Sequence, residues 1–566
     1  MYNLSRFSIN VFRCVLAVLL LNLALTFQNL WPTAGVRWVL EFSLDLLALL
    51  LALSLLIAWR GPLGRWGRGL LLGIFVILVL GRYIDVTMPA LMGRAIHLYW
   101  DSQHVPQVAA MFLDSVPIWQ LVLGGLTLLV GFGVMIAMLR WALGAILATL
   151  EQPVGRWVVG GLAVILLAAY SAGRLSVRLP TEYYFALPVT PVLVEQIELA
   201  LEATVFRNQG RIAAQSPLPA SNLGRLQGGD LLVMFFESYG ALVFDDPRFA
   251  KPLTSDFAAL EQALEQAGWR MASARVESST FGGQSWLAHS SLLSGLRIAD
   301  QGDYRELLAT DRATLAQSFA KAGYRTVAVM PGLRYPWPEG RFYRFDKIYN
   351  AERLNYRGPA YGWWAIPDQY SLYRIHQIEL EPLANRAPRF IFFPTINSHA
   401  PFAPLPPYQP DWSVFDVAAH QEAASIATGS VELNERLDGA ALAAAYIQSV
   451  RYNLAVVGGY LRQYAPPNAL FVVLGDHQPP AIVGGRDLSW QTPVHVFSRD
   501  PALLERFVAR GFQSGMRPGP TLLGGIERVG PLLLEILDGA NHANLNPPPV
   551  PTARPVPDRY PRTAPR

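Results

Sequence analysis

The chain has one cysteine, Cys14, in 566 residues. No intramolecular disulfide can form, so any part that lies outside the cell's reducing interior must be held by its core alone. Charge is also scarce: 16% of residues are Asp, Glu, Lys or Arg, and the formal net charge is +4. No basic stripe interleaved with aromatic residues is present, which argues against a nucleic-acid partner. Apolar residues, by contrast, make up 52% of the chain and its mean hydropathy is +0.25, high for a soluble protein. The length exceeds what one ordinary domain uses.

The apolar residues are concentrated at the start. Five segments, roughly 8–27, 36–58, 69–88, 115–139 and 156–173, each approach the ~20 residues that cross a bilayer. No A-x-A-like cleavage site follows the first, which therefore reads as an anchor and not as a signal peptide. Asp45, within the second, is expected to face other helices or water. Arg6 and Arg13 lie at the start of the first segment, Arg60, Arg65 and Arg68 separate the second from the third, and Arg140 and Arg156 flank the connection from fourth to fifth. The opposite segment ends and their loops carry only Arg37, Arg82 and Arg94. Positively charged loops stay cytoplasmic, so the N-terminus is expected inside and everything after residue 175 outside.

Residues 176–229 join this transmembrane part to the rest. Within them Pro191–Arg207 has the pattern of an amphipathic helix lying at the interface or against the spans, and a Ser-, Pro- and Gly-rich linker follows. From 230 to 540, apolar strand candidates at 231–236, 269–274, 325–330, 390–396, 470–475 and 492–497 alternate with helical patterns near 255–267, 285–296, 311–323, 369–382 and 440–464. The alternation predicts a mainly parallel sheet covered by helices. The Pro-rich segment 541–566 has little to bury and is expected to be disordered. The expected fold is thus an N-terminal five-helix transmembrane bundle and a C-terminal α/β domain.

Three stretches of that domain carry chemistry. Leu231–Gly240, LLVMFFESYG, is a continuous apolar run, as in a strand buried on both faces, and it ends on Glu237. Leu470–Pro480, LFVVLGDHQPP, is a second such run and releases Asp476 and His477 side by side. A carboxylate and an imidazole at strand ends suit a divalent cation, with room left for an exchangeable ligand. In the third stretch, Ser278–Gly295, Ser285 follows Gly282-Gly283 and starts a helix. A hydroxyl there suits a plain N-cap or an oxyanion-facing role. His289, four residues on, shares its face as a donor or as a packed ring.

The run Ser285-Trp-Leu-Ala-His289-Ser-Ser-Leu-Leu-Ser-Gly295 resembles the nucleophile segment of the alkaline phosphatase and sulfatase superfamily. The order Glu237, hydroxyl, Asp476-His477 is similar to its membrane-anchored branch, the lipoteichoic acid synthases and lipid A phosphoethanolamine transferases. Segments 315–326, 344–350, 361–370 and 397–402 add to the likeness. The resemblance implies an alkaline phosphatase-like domain outside a bacterial-type inner membrane. Glu237, Asp476 and His477 would be ligands of zinc or manganese, Ser285 both ligand and nucleophile, and His399 a histidine beside the transferred phosphate. Trp337 and Arg341 would lie where the synthases hold a headgroup. The implied partners are a phospholipid donor and an envelope glycan or lipid acceptor.

Three departures stand beside the likeness. The membrane transferases use threonine, and Thr280, five residues before Ser285, is the alternative nucleophile. The following Trp-Leu-Ala-His lacks the Pro and Arg through which sulfatases have their nucleophile oxidised, so an unmodified hydroxyl is expected. The disulfide-rich outer domains of the phosphoethanolamine transferases have no counterpart in a chain with one cysteine. A hydrolase using water, and a non-catalytic relative that binds lipid or senses the envelope, are the rival functions.

Overall fold

The computed structural model describes residues 2–31, 33–175, 181–205, 212, 214–334, 337–361, 364–381, 386–416, 439–485 and 488–539. Segment 541–566, expected to be disordered, lies outside them. The chain divides into two compact units, Met1–Arg207 with Glu432–Gly439, and Asn208–Val431 with Ala440–Arg566.

In the first unit, helices α1 (Tyr2–Thr26), α2 (Leu44–Arg60), α3 (Arg65–Met92), α4 (Ile118–Leu150) and α5 (Pro153–Leu175) coincide with the five apolar segments. Among the described residues, three of them, α3, α4 and α5, are long and apolar enough to cross a membrane. The second segment departs from expectation because its helix is only 17 residues long. Residues 36–43 are largely non-helical, Val36–Arg37 pairing with Gln28–Asn29. Ser43 then caps the helix, its Oγ accepting from Leu46 N at 3.2 Å while Asn22 Oδ1 holds its own N–H at 2.9 Å. Asp45 does find compensation: its carboxylate accepts from Val189 N and Thr190 Oγ1, both at 2.6 Å. It thereby caps α6 (Thr190–Thr204), the expected amphipathic helix, where a negative charge is favoured.

Among the described residues, the second unit is built on a nine-stranded sheet. In chain order its strands are β1 (Leu231–Phe236), β2 (Arg270–Glu277), β3 (Arg325–Met330), β4 (Lys347–Asn350), β5 (Arg389–Pro394), β6 (Leu470–Gly475), β7 (Gln491–Ser498), β8 (Gln513–Ser514) and β9 (Leu522–Gly525). Their spatial order is β8-β2-β7-β6-β1-β5-β3-β4, with β9 on β2. The stretch β6-β1-β5-β3-β4 is parallel throughout. β7 runs against both β6 and β2. The last two short strands and β4 have runs too brief to stand out in the sequence.

β1 and β6 are buried along their whole length, and successive residues serve opposite layers. Leu232, Met234, Phe236, Phe471 and Val473 join one core, with Phe249, Leu253, Phe257 and Leu264 of α7 (Pro247–Gln266) and the apolar face of α10 (Gly439–Gln463). Leu231, Val233, Phe235, Leu470, Val472 and Leu474 join the other, with Leu287, Ala288, Leu292 and Leu293 of α8 (Ser285–Ser294). Two covered faces explain runs without alternation. The helix expected at 311–323 is confined to Leu315–Lys321, started by a capping box between Thr314 and Gln317. The helix near 369–382 starts as α9 (Asp368–Ile375).

Candidate metal centre and nucleophile

The register of the sheet assembles the site. Gly475 pairs with Phe236 across β6 and β1, so the next residues, Asp476 and Glu237, leave the sheet side by side at its carboxyl edge. Pro394 of β5 pairs with Phe235 on the other flank, which brings Thr395–His399 alongside Glu237. α8 does not follow a neighbouring strand, since β2 and β6 are separated by β7. Its loop is drawn across instead: Gly282 N donates to Gln478 O at 3.2 Å, and Ser278 Oγ donates to Asp476 O.

The loop delivers Ser285 to the carboxylates. Ser285 Oγ donates to Glu237 Oε2 at 2.8 Å and lies 3.1 Å from His477 Nε2. Ser285 is the first helical residue, and Gln284 before it is the N-cap, with φ of 62° and no side-chain capping bond. The serine hydroxyl is therefore turned to the cluster and does not cap the helix. His477 Nε2 is 3.3 Å from Glu237 Oε1 and 3.7 Å from Asp476 Oδ2. Ligand atoms of Glu237, Asp476 and His477 all lie within 4.8 Å of one another, and all three residues are buried.

The donor set fits a divalent cation. Asp476 Oδ1 accepts from Ser238 N at 2.8 Å and His477 N at 2.7 Å, while its buried Oδ2 has no hydrogen-bond partner among the described residues. His477 Nδ1 faces Gln478 O at 2.7 Å; donation there makes Nε2 the ligand atom, as metal-binding histidines are commonly arranged. No Lys or Arg among the described residues pairs with either carboxylate. A buried pair of carboxylates without a cation is costly, and one hydroxyl, one imidazole and two carboxylates suit zinc or manganese alike.

The same closeness perturbs titration. Burial raises the Asp476 carboxyl well above its usual range, and the charge of Glu237 adds to it. Burial also opposes charge on Glu237, but His477 beside it outweighs this and holds it below the carboxylate range. Burial disfavours the His477 cation, yet Asp476 and Glu237 push its pKa up to about 9.

His399 stands in the turn after β5. Its Nδ1 is 2.7 Å from Ala400 O, and its ring packs on Trp364 with centroids 4.6 Å apart. His289 is a packed ring, 4.5 Å from Phe235 and 5.6 Å from Phe392. Burial pushes its pKa down to about 4, so it is neutral at pH 7. Thr280 is not at the cluster's centre: its Oγ1 donates to Gly283 O at 2.7 Å, closing the turn before α8. Trp337 stacks on Tyr343, centroids 5.6 Å apart. Arg341 borders a cavity of about 300 Å³ shared with Arg312, Glu339 and Arg344, which none of the cluster residues lines.

Several residues that hold the site escape a reading of the sequence. Ser238 takes a left-handed conformation, φ 59°, which aims its N–H at Asp476, and Tyr446 OH of α10 donates to its carbonyl at 2.8 Å. Thr395 Oγ1 accepts from Glu237 N at 3.2 Å, and Ser398 Oγ donates to Glu237 O at 2.7 Å. Nothing local in the sequence marks these partners, because each acts across strands.

Residues 250–495 match the family model described as Sulfatase. That stretch of the chain is similar to the sulfatase family. Solved structures similar to the chain fall in the alkaline phosphatase superfamily. The lipooligosaccharide phosphoethanolamine transferase A of Neisseria meningitidis is 13% identical, with 87% of this chain and 95% of that one covered at a TM-score of 0.44. The lipoteichoic acid synthase LtaP of Listeria monocytogenes is 12% identical over 59% of this chain and 78% of that one, TM-score 0.36. A superfamily protein from Vibrio parahaemolyticus is 16% identical over 60% and 73%, TM-score 0.35. No curated protein matches the sequence. Glu237 lies before the matched residues, while Ser285, Asp476 and His477 lie within them.

Proposed function

We propose that the protein is a membrane-anchored, metal-dependent phosphotransferase that moves a phospholipid headgroup, phosphoglycerol or phosphoethanolamine, to an envelope glycan or lipid. The observation that carries this reading is the contact of Ser285 Oγ with both Glu237 and His477 beside the unpartnered Asp476 Oδ2. Glu237, Asp476, His477 and Ser285 would hold the cation, zinc or manganese. When bound, it supplies positive charge that favours the ionised serine and the phosphoryl oxygens.

Ser285 Oγ attacks the headgroup phosphorus. The new O–P bond forms as the bond from phosphorus to the diacylglycerol oxygen breaks, and that oxygen leaves protonated as diacylglycerol. The acceptor's hydroxyl or amine then attacks the phosphoseryl group, loses its proton and frees Ser285. His399, in the turn beside Glu237, would donate to the transferred phosphate. With unmodified serine at 285 and neither Pro nor Arg in the four residues after it, ester transfer is favoured over sulfatase chemistry. The helical unit, read as five spans with the N-terminus cytoplasmic, keeps the domain outside the inner membrane, where donor and acceptor lie.

The test uses purified full-length protein, metal, and phosphatidylglycerol or phosphatidylethanolamine labelled in the headgroup. Diacylglycerol should appear with wild type and a labelled phosphoserine should be trapped at residue 285. Label released only as the free headgroup would make water the acceptor; absence of diacylglycerol from both lipids would sink the reading.

A further inference from the structure

Asp368, the first residue of α9, is fully buried and belongs to none of the groups placed at the metal centre. It has no cationic partner among the described residues. Its carboxylate is instead spent on the backbone of the turn after β5: Oδ1 accepts from Ile396 N at 2.9 Å and Oδ2 from Asn397 N at 2.8 Å. The pairing is reciprocal, because Asn397 Oδ1 accepts from Asp368 N at 2.6 Å and Asn397 Nδ2 reaches Ile366 O at 3.3 Å. A buried carboxylate left with unfilled acceptors is strongly disfavoured, so these bonds hold the turn as firmly as they hold the acid.

That turn carries two contacts to the centre. Thr395 and Ser398 bind the N–H and the carbonyl of Glu237, and Asn453 Nδ2 of α10 steadies Ser398 Oγ at 2.8 Å. The Glu237 side of the turn is thus anchored twice without Asp368. On the His399 side, the ring packs on Trp364 and the backbone is tied back through His399 N, which donates to Ile396 O at 3.1 Å, and Ile396 N is itself fixed by Asp368. We infer that Asp368 is a positioning residue for His399, clamping residues 396–397 so that the imidazole is presented to substrate in one place. The inference rests on the phosphotransferase reading above, in which His399 touches the transferred phosphate.

The experiment is a double-mutant cycle in the full-length, metal-loaded protein, joined to hydrogen exchange. Asp368→Asn swaps one acceptor for an N–H donor facing a backbone N–H, so exchange at Ile396 and Asn397 should quicken while bound metal stays at the wild-type level. Turnover should fall about ten- to a hundredfold, the usual loss when an outer partner of a site is removed. In a His399→Ala background the same change should alter turnover by less than about twofold, since non-additivity marks residues that act through one another. Asn397→Ala, which removes the reciprocal bond, should move all readouts the same way and serves if Asp368→Asn does not fold. Equal losses in both backgrounds, loss of metal, or unchanged exchange at 396–397 would overturn the inference. Wild-type protein without transfer activity would instead count against the proposed function, and exchange and metal content would still decide the clamp.

Discussion

Ser285 Oγ and Glu237 Oε2 are 2.8 Å apart, joined by a hydrogen bond between the first turn of a helix and the end of the central strand. Thr280, the other hydroxyl of that loop, is committed to Gly283 O. Ser285→Ala should therefore lower headgroup transfer by at least about a thousandfold, as removal of a nucleophile does, with metal still bound. Thr280→Val should retain most turnover and lose about 1 kcal/mol of stability with its turn bond. Diacylglycerol release and melting temperature, measured on both variants, separate the roles. The reverse pattern would make Thr280 the nucleophile.

Asp476 gives the metal its sharpest test. Its Oδ2 is buried without a partner, while Oδ1 is occupied by two backbone N–H groups. Asp476→Asn removes charge and can offer an oxygen to only one of those directions. Wild-type protein should gain about 3 kcal/mol of stability from zinc or manganese at a hundred times the dissociation constant. The variant should gain little, and elemental analysis after gel filtration should find it depleted. An equal thermal shift in both proteins would remove Asp476 from the ligand set.

The centre's frame is legible from sequence because buried parallel strands write themselves as unbroken apolar runs. Leu231–Phe236 and Leu470–Gly475 are strands over the full length of two such runs, and the residue just past each run is a candidate ligand, Glu237 or Asp476. Their adjacency is a matter of register, which no single run contains. Ser285 is legible locally as a helix start, and only the family resemblance sets it beside Glu237, because its loop has to cross β7 to arrive. Arg341 borders a cavity that none of the cluster residues lines, a placement that no local pattern around it in the sequence conveys. In the helical unit, the extended residues before Ser43 look apolar enough for a span, and only the capping by Ser43 and Asn22 shows where the helix begins.

His495 on β7 predicts an acid weakness. It is buried, with Tyr239 OH 3.0 Å from Nε2 and Ser273 Oγ 2.7 Å from Nδ1. Ser273 gives its own hydrogen to Gly515 O at 2.6 Å, so Nδ1–H donates to Ser273 and Nε2 accepts from Tyr239. Burial pushes the pKa down to about 3 from 6.5. The folded state therefore refuses a proton that the unfolded chain takes up. Stability from this group is complete above pH 6.5 and is lost as pH falls toward 3, by about 2 kcal/mol at pH 5. Between pH 7.5 and 5, the melting temperature of His495→Gln should fall less than that of wild type. Parallel declines would mean that other groups set the acid limit.

Gly475 and Tyr239 set the closest approach at the centre. A Cβ on Gly475 would collide with Tyr239 O and lie 3.2 Å from Thr492 Cβ, and the first of these is backbone that no rotamer change can move aside. Gly475 also precedes Asp476 and His477 directly, so relief has to come from shifting the strand end that carries two ligands. Overpacking of this kind costs about 1–3 kcal/mol and more where backbone is struck. Gly475→Ala should therefore lose metal affinity and transfer together, and melt well below wild type. Gly268→Ala is the control. It strains a left-handed residue, φ +81°, but meets nothing within 4 Å, so it should lower the melting temperature while leaving metal affinity intact. Calorimetric titration of zinc into both variants checks this, and a Gly475→Ala protein that binds zinc as wild type does would show that the Tyr239–Gly475 contact does not control where the ligands stand.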